Sequence, residues 1–176
     1  MLFRETKLPG AFVIELQKHE DERGFFARSW CQKEFEAHGL NPQMVQCNVS
    51  FNKMKGTLRG MHYQVGPCAE AKLVRCTRGA IYDVIIDLRR ESATYKQHVG
   101  EALTSNNYRA LFIPEGFAHG FQTLEDNSEV FYQMSEFYSP EHQRGLRYND
   151  RAFRINWPID TTVISDRDRN YEDFRE

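Results

Sequence analysis

Apolar and polar positions alternate along most of this chain in short runs. Segments 12–16, 25–30, 44–51, 72–76, 81–88, 98–103, 110–113, 117–124 and 130–138 are rich in β-branched and aromatic residues, which predicts strands. Pro9-Gly10, Arg78-Gly79, Asn106-Asn107 and Ser139-Pro140 punctuate them as turns. One short helix is expected over 32–38, with Gly39 as its stop. Many short strands at regular spacing predict an all-β double-sheet sandwich or small barrel. Segment 155–176 is polar and acidic with little periodicity, and is expected to wrap the surface without adding a strand. There is no internal repeat or linker, so 1–176 reads as a single domain.

Composition narrows the class. A chain of 176 residues can bury a full core. A net charge of −2 argues against broad nucleic-acid binding, leaving room for a local arginine cluster that holds a small anion. No apolar run is long enough to cross a bilayer, and residues 1–16 lack the apolar core of a secretion signal. Cys31, Cys47, Cys68 and Cys76 are scattered with no CxxC pair. They read as reduced thiols in a cytoplasmic protein, in preference to disulfides or zinc ligands.

Four constellations could carry chemistry. In the segment from Gly56 to Gln64, His62 stands three residues after Arg59. On a regular strand the two would face opposite sides, and a bulge at Gly60 would bring them together. Alternation places Lys72, Val74 and Cys76 on one face, so a lysine heads an apolar row and needs a partner or a task. The stretch from Ile113 to Phe121 puts Phe117, His119 and Phe121 on one face after a Pro114/Gly116 turn, where a structural histidine is as reasonable as a binding one. Val130, Tyr132 and Met134 share a face, and a tyrosine so placed is more often core than catalyst. Finally, Asp21-Glu22-Arg23-Gly24 precedes Phe25-Phe26, a combination suited to clamping a phosphate and stacking a base, with a second arginine-rich loop at 166–169.

Taken in order, these segments resemble the dTDP-4-dehydrorhamnose 3,5-epimerase family of cupin jelly rolls. The likeness is carried by Asp21-x-Arg-Gly24, Gln46-x-Asn-x-Ser50, Gly56-x-Leu-Arg-Gly-x-His-Tyr-Gln64 and Lys72-Leu-Val74. It continues through Gly79-x3-Asp-Val84, Asp87-Leu-Arg89, Ile113-Pro-x-Gly-Phe-Ala-His-Gly-Phe121, Tyr132 and Ser165-x-x-Asp168. The resemblance implies a cupin-type jelly roll with one short helix and an irregular C-terminal segment. It also implies a homodimer that inverts C3 and C5 of a nucleotide-linked 4-keto-6-deoxyhexose with no cofactor and no metal. In that reading His62 is the general base, Asp168 orients it, Tyr132 is the acid on the opposite ring face, and Lys72 faces the C4 oxygen. Asp83 is a second carboxylate that could partner His62 instead. Arg23, Arg59 and His119 resemble phosphate and sugar contacts, and Gln46 and Asn48 line the nucleotide side.

Arg28 and Gln143 stand where the family commonly has Glu, Arg167 where it has Lys, and Tyr148 where it has Trp. With Tyr138, the first three are candidate substrate contacts. An arginine only donates where a carboxylate only accepts, so Arg28 and Gln143 leave the base open between dTDP and, for example, CDP. A relative that inverts only C3 is the nearest alternative. A metal-dependent cupin would want a His-x-His pair, but the chain reads His62-Tyr63-Gln64. A non-catalytic sugar-nucleotide-binding cupin would have no use for His62, Lys72 and Tyr132 together.

Overall fold

Period-two burial builds two facing sheets. The computed structural model describes residues 1–175; of the expected C-terminal wrap, Glu176 lies outside the described residues. In chain order the elements are β1 (Leu2–Glu5), β2 (Phe12–Glu15), β3 (His19–Asp21), β4 (Gly24–Phe26), α1 (Gln32–Ala37), β5 (Gln46–Asn52), β6 (Thr57–Gln64) and β7 (Lys72–Arg78). They continue with β8 (Ala80–Asp87), β9 (His98–Thr104), β10 (Ala110–Ile113), β11 (Phe117–Thr123), β12 (Ser128–Met134), β13 (Gln143–Gly145), β14 (Val163–Ile164) and α2 (Asp166–Arg169). One sheet runs β1-β2-β10-β7-β12-β5 and the other β13-β6-β11-β8-β9, with β14 added beside β6. All pairings are antiparallel except β14 with β6, so the all-β expectation holds.

Side-chain alternation distributes the apolar residues over three layers. Val13, Val74, Leu111 and Val130 from the first sheet meet Ile81, Ile85, Leu103 and Phe121 from the second, forming the interior core. The outer face of the first sheet, with Ile14, Leu73 and Phe112, is covered by Phe35 of α1. The outer face of the second, with Met61, Val84 and Ile86, is covered by Leu146, Phe153, Trp157 and Phe174. Each such large side chain contributes about 2 kcal/mol when fully buried.

Three expectations change on contact with the structure. Segment 25–30 is not a continuous strand: residues 19–26 form a separate two-stranded hairpin, and the chain leaves strand geometry after Phe26. Segment 130–138 stops at Met134, because Ser135 turns away to exchange hydrogen bonds with Ala71 (2.8 and 2.9 Å). The C-terminal stretch does wrap a sheet, yet it also contributes β14 and α2, which a periodicity argument cannot see in elements of two and four residues.

Candidate active site

Beyond the interior core the two sheets enclose a cavity of about 810 Å³, lined chiefly by β5, β6, β7, β11 and β12 with the segment from Val163 to Asp168. That size suits a small-molecule ligand. Lys72 extends the row of Val74 and Cys76 into it, and Tyr132 and Met134 extend the row of Val130. His62 and His119 enter from the opposite sheet, as register partners on β6 and β11.

The expected bulge is present. His119 pairs with His62 and Phe121 with Arg59, so three steps on β6 are matched by two on β11. The extra residue turns Arg59 and His62 to the same cavity. Gly60 permits it: its φ is +122°, and a Cβ there would lie 2.5 Å from the Cα of Gly120.

Two histidine–carboxylate pairs result. His62 Nε2 lies 2.7 Å from Asp168 Oδ1, and the other Asp168 oxygen accepts from the Gly60 N–H at 3.1 Å. Ser165 caps α2 by accepting from the Asp168 N–H at 3.1 Å, which fixes where that carboxylate sits. Burial alone would push the Asp168 carboxyl up, but His62 and the Gly60 N–H hold it below the ordinary carboxylate range. An ionised carboxylate only accepts, so Nε2 carries a proton, and in the neutral ring the lone pair is then on Nδ1. Asp83, the other candidate partner, instead takes His119 Nε2 at 2.7 Å.

On the facing wall Tyr132 is half-buried, and burial pushes its phenol up while the charge of Arg59 opposes part of that rise. The phenol therefore keeps its proton at neutral pH. Arg59 donates through Nε to Asn52 Oδ1 at 2.7 Å and forms no ion pair among the described residues. Lys72 is paired with Glu70, which also lines the cavity. Among the described residues, no three His, Cys, Asp or Glu side chains stand close enough to hold a metal ion.

Of the thirteen residues given catalytic or substrate-contact roles in sequence, His62, Tyr132, Lys72, Asp168, Arg59, His119, Tyr138, Gln143 and Arg167 line this cavity. Gln143 Oε1 accepts from Tyr138 OH (2.6 Å) and Arg167 Nη2 (2.8 Å), knitting three of them into one rim cluster. Gln46 and Asn48 sit beside it, touching the Met134 sulfur, and Gln46 Oε1 accepts from the Tyr138 N–H at 3.1 Å. Arg23 and Arg28 do not reach it. Arg23 is paired with Asp21 on the exposed hairpin, and Arg28 with Glu34 at 2.9 Å. The hairpin is held away by Phe25 stacking edge-on against Tyr108, with Lys18 over both rings. The proposed polarity reversal at Arg28 is thus not a feature of this chain's own cavity.

Sequence reasoning missed Glu70 and Asn52. The signal for Glu70 was available, since a residue two positions before Lys72 shares its face and a buried lysine calls for an acid.

Two facing antiparallel sheets around a cavity with histidines on its strands define a cupin-type jelly roll. Within that class the chain belongs to the dTDP-4-dehydrorhamnose 3,5-epimerase family, whose description matches residues 5–176. A dTDP-4-dehydrorhamnose 3,5-epimerase from Shigella flexneri is 44 % identical over 171 residues, covering 97 % of this chain and 94 % of its own. The crystal structure of one from Bacillus anthracis with TDP and pyrophosphate bound superposes with a TM-score of 0.94 at 42 % identity, covering 98 % and 99 % of the two chains. A dTDP-6-deoxy-D-glucose 3,5-epimerase from Legionella pneumophila in complex with dTDP-4-keto-L-rhamnose gives 0.88 at 37 % identity, covering 95 % and 89 %.

Proposed function

We propose that this chain inverts C3 and C5 of a dTDP-linked 4-keto-6-deoxyhexose, yielding the 4-dehydrorhamnose epimer. The observation that carries the reading is a histidine–carboxylate pair facing a protonated tyrosine across one cavity, each on a different sheet. His62 Nδ1 takes the proton from a carbon beside the C4 ketone. The electron pair moves onto the C4 oxygen, where the buried Lys72 ammonium stabilises the enolate. Tyr132 then delivers a proton to the opposite face of that carbon, which completes one inversion, and solvent resets both groups. The same cycle at the second carbon gives the second inversion. Asp168 holds the imidazole in the tautomer this needs.

Arg59, whose terminal nitrogens have no partner among the described residues, is assigned to the diphosphate, and the Tyr138–Gln143–Arg167 cluster with Gln46 and Asn48 to the nucleotide side. The base is assigned as thymine, in keeping with the ligands of the two structures above.

A homodimer and a cytoplasmic site of action are part of this proposal. No helix among the described residues is long and apolar enough to cross a membrane. The edge strand β5 exposes Val49 and Phe51, and β1 exposes Leu2. Pairing with a second copy would cover such an edge. Because Arg23 and Arg28 lie outside their own cavity, any substrate contact of theirs requires the cavity of that second copy. Light scattering should give twice the chain mass at micromolar concentration, and a monomer would refute this.

The central test is exchange in heavy water with dTDP-4-dehydro-6-deoxyglucose, followed by product analysis. Deuterium should enter at C3 and C5, and both centres should invert. Tyr132→Phe should still exchange but lose about a hundredfold or more in inversion, since it removes the acid and leaves the base. Uptake at C3 alone would convert the reading to a C3-only epimerase, and no uptake would dismiss catalysis.

A further inference from the structure

Lys72 is a long flexible cation in a buried place. The residue is 7 % exposed, and Glu70 beside it is 5 % exposed. One Glu70 oxygen pairs with the Lys72 ammonium and the other accepts from the Gln64 N–H at 3.1 Å. That N–H is itself anchored, because the Gln64 amide donates to Cys68 O (2.7 Å) and Phe137 O (3.2 Å) and accepts from the Ser139 N–H (2.6 Å). Ala71, between the pair, exchanges two hydrogen bonds with Ser135. The carboxylate is therefore pinned at both ends of its short segment. Among the described residues the Lys72 ammonium has no other hydrogen-bonding partner, so two of its three protons remain for a ligand.

We propose that Glu70 is a positioning residue for the epimerisation, one that holds the Lys72 ammonium in place and aimed at the C4 oxygen. The inference rests on the function proposed above. Fixing a four-carbon stem before the reaction matters because a displacement near 1 Å at a catalytic group costs on the order of a hundredfold in rate. A buried pair kept only for the fold would be a poor investment, since such pairs roughly break even against apolar residues of the same shape.

A double-mutant cycle separates the two roles. Glu70→Gln should lower kcat about ten- to a hundredfold while KM and the affinity for dTDP, measured by calorimetry, stay within about twofold. Lys72→Met should lower kcat at least as far, and adding Glu70→Gln to it should cost nothing more, because a residue that acts through Lys72 has nothing left to position. Equal losses in both backgrounds, or a Glu70→Gln change confined to KM, would overturn the proposal. Glu70→Asp guards against simple unfolding: it keeps the charge but retracts it by one carbon, so kcat should fall with the melting temperature little changed. Native kcat in Glu70→Asp would also overturn it. Independently of any substrate, Lys72 should undergo reductive methylation severalfold faster in Glu70→Gln than in the native chain, read by mass spectrometry. Equal labelling refutes the positioning role even if the native protein turns over no sugar, an outcome that would by itself remove only the reading of function.

Discussion

The two histidine–carboxylate pairs have the same contact length, 2.7 Å, and their histidines are register partners on adjacent strands. They differ in everything around that contact. His62 keeps 32 % of its side chain exposed toward the cavity, whereas His119 keeps 10 %. Asp168 arrives from a capped helical turn 106 residues away, and both of its oxygens have donors. Asp83 comes from β8, paired along its length with β11, and its second oxygen is buried with no donor among the described residues. One pair spans two parts of the chain, with its histidine open to the cavity. The other lies within a single sheet, with its histidine nearly buried at the cavity wall. An identical distance thus says little about role; access and the completeness of the carboxylate's partners say more.

The largest effect should come from His62→Asn, which removes the reachable nitrogen. Deuterium uptake beside the ketone should fall by about a thousandfold or more, at the upper end of what a general base contributes. Near-native exchange would transfer the base role to His119 and dissolve the contrast. Asp168→Asn should come next, at about a hundredfold in kcat. The amide can present a donor where His62 needs an acceptor, which favours the wrong tautomer. Binding of dTDP should be almost unaffected, and a loss in affinity equal to the loss in kcat would mean that Asp168 shapes the pocket instead of the base.

Which of these features could be read from sequence follows from how local each one is. The face shared by Lys72, Val74 and Cys76, and that shared by Val130, Tyr132 and Met134, follow from strand period alone, and both survive in the structure. The Gly60 bulge was legible because Arg59 and His62 needed it. The choice between Asp83 and Asp168 was not, since it depends on where a C-terminal segment returns to β6, and no periodicity encodes that path. Arg23 is read as a phosphate contact from its chemistry and Arg28 as a substrate contact from the resemblance, but where the hairpin that carries Arg23 lies follows from the packing of Phe25 on Tyr108. Such aromatic docking between distant segments leaves no spacing signal.

A third carboxylate sharpens the contrast through pH. Asp87 lies four residues beyond Asp83 on β8 and is just as buried, yet it is fully satisfied. It accepts from the Arg89 N–H, the Arg89 guanidinium, Ser92 Oγ and Thr94 Oγ1. Burial works to raise its carboxyl, but these donors win and hold it down, from an ordinary 3.8 to about 2. A folded value below the unfolded one means the group stabilises the fold above about pH 4, and that this stability is lost as pH falls through about 2. The size is about 2 kcal/mol. Urea unfolding at pH 7 and near pH 2 should show a loss of at least this size, since Asp168 is held down as well, and the loss should be smaller in Arg89→Ala. If Arg89→Ala kept the full acid dependence, the stability would have to reside in another carboxylate.

The smallest effect should be that of Asp83→Asn, and it is the variant best able to break the comparison. The remaining side-chain oxygen can still accept from His119 Nε2, so the pair's one contact survives. The ring has little freedom to lose, because only 10 % of the His119 side chain is exposed and β6 and β8 flank its strand on either side. Replacing the carboxylate also removes a buried oxygen that no donor among the described residues meets, a group that ordinarily costs on the order of 1–3 kcal/mol. Against that stands the new amide N–H, which is equally unmatched. The melting temperature should therefore hold or rise slightly, and kcat should change by less than about tenfold, below the low end for a missing acid or base. A loss near that of Asp168→Asn would make the two pairs equivalent and place His119 in the proton path, for then the charge on Asp83, rather than its geometry, would be what the reaction uses.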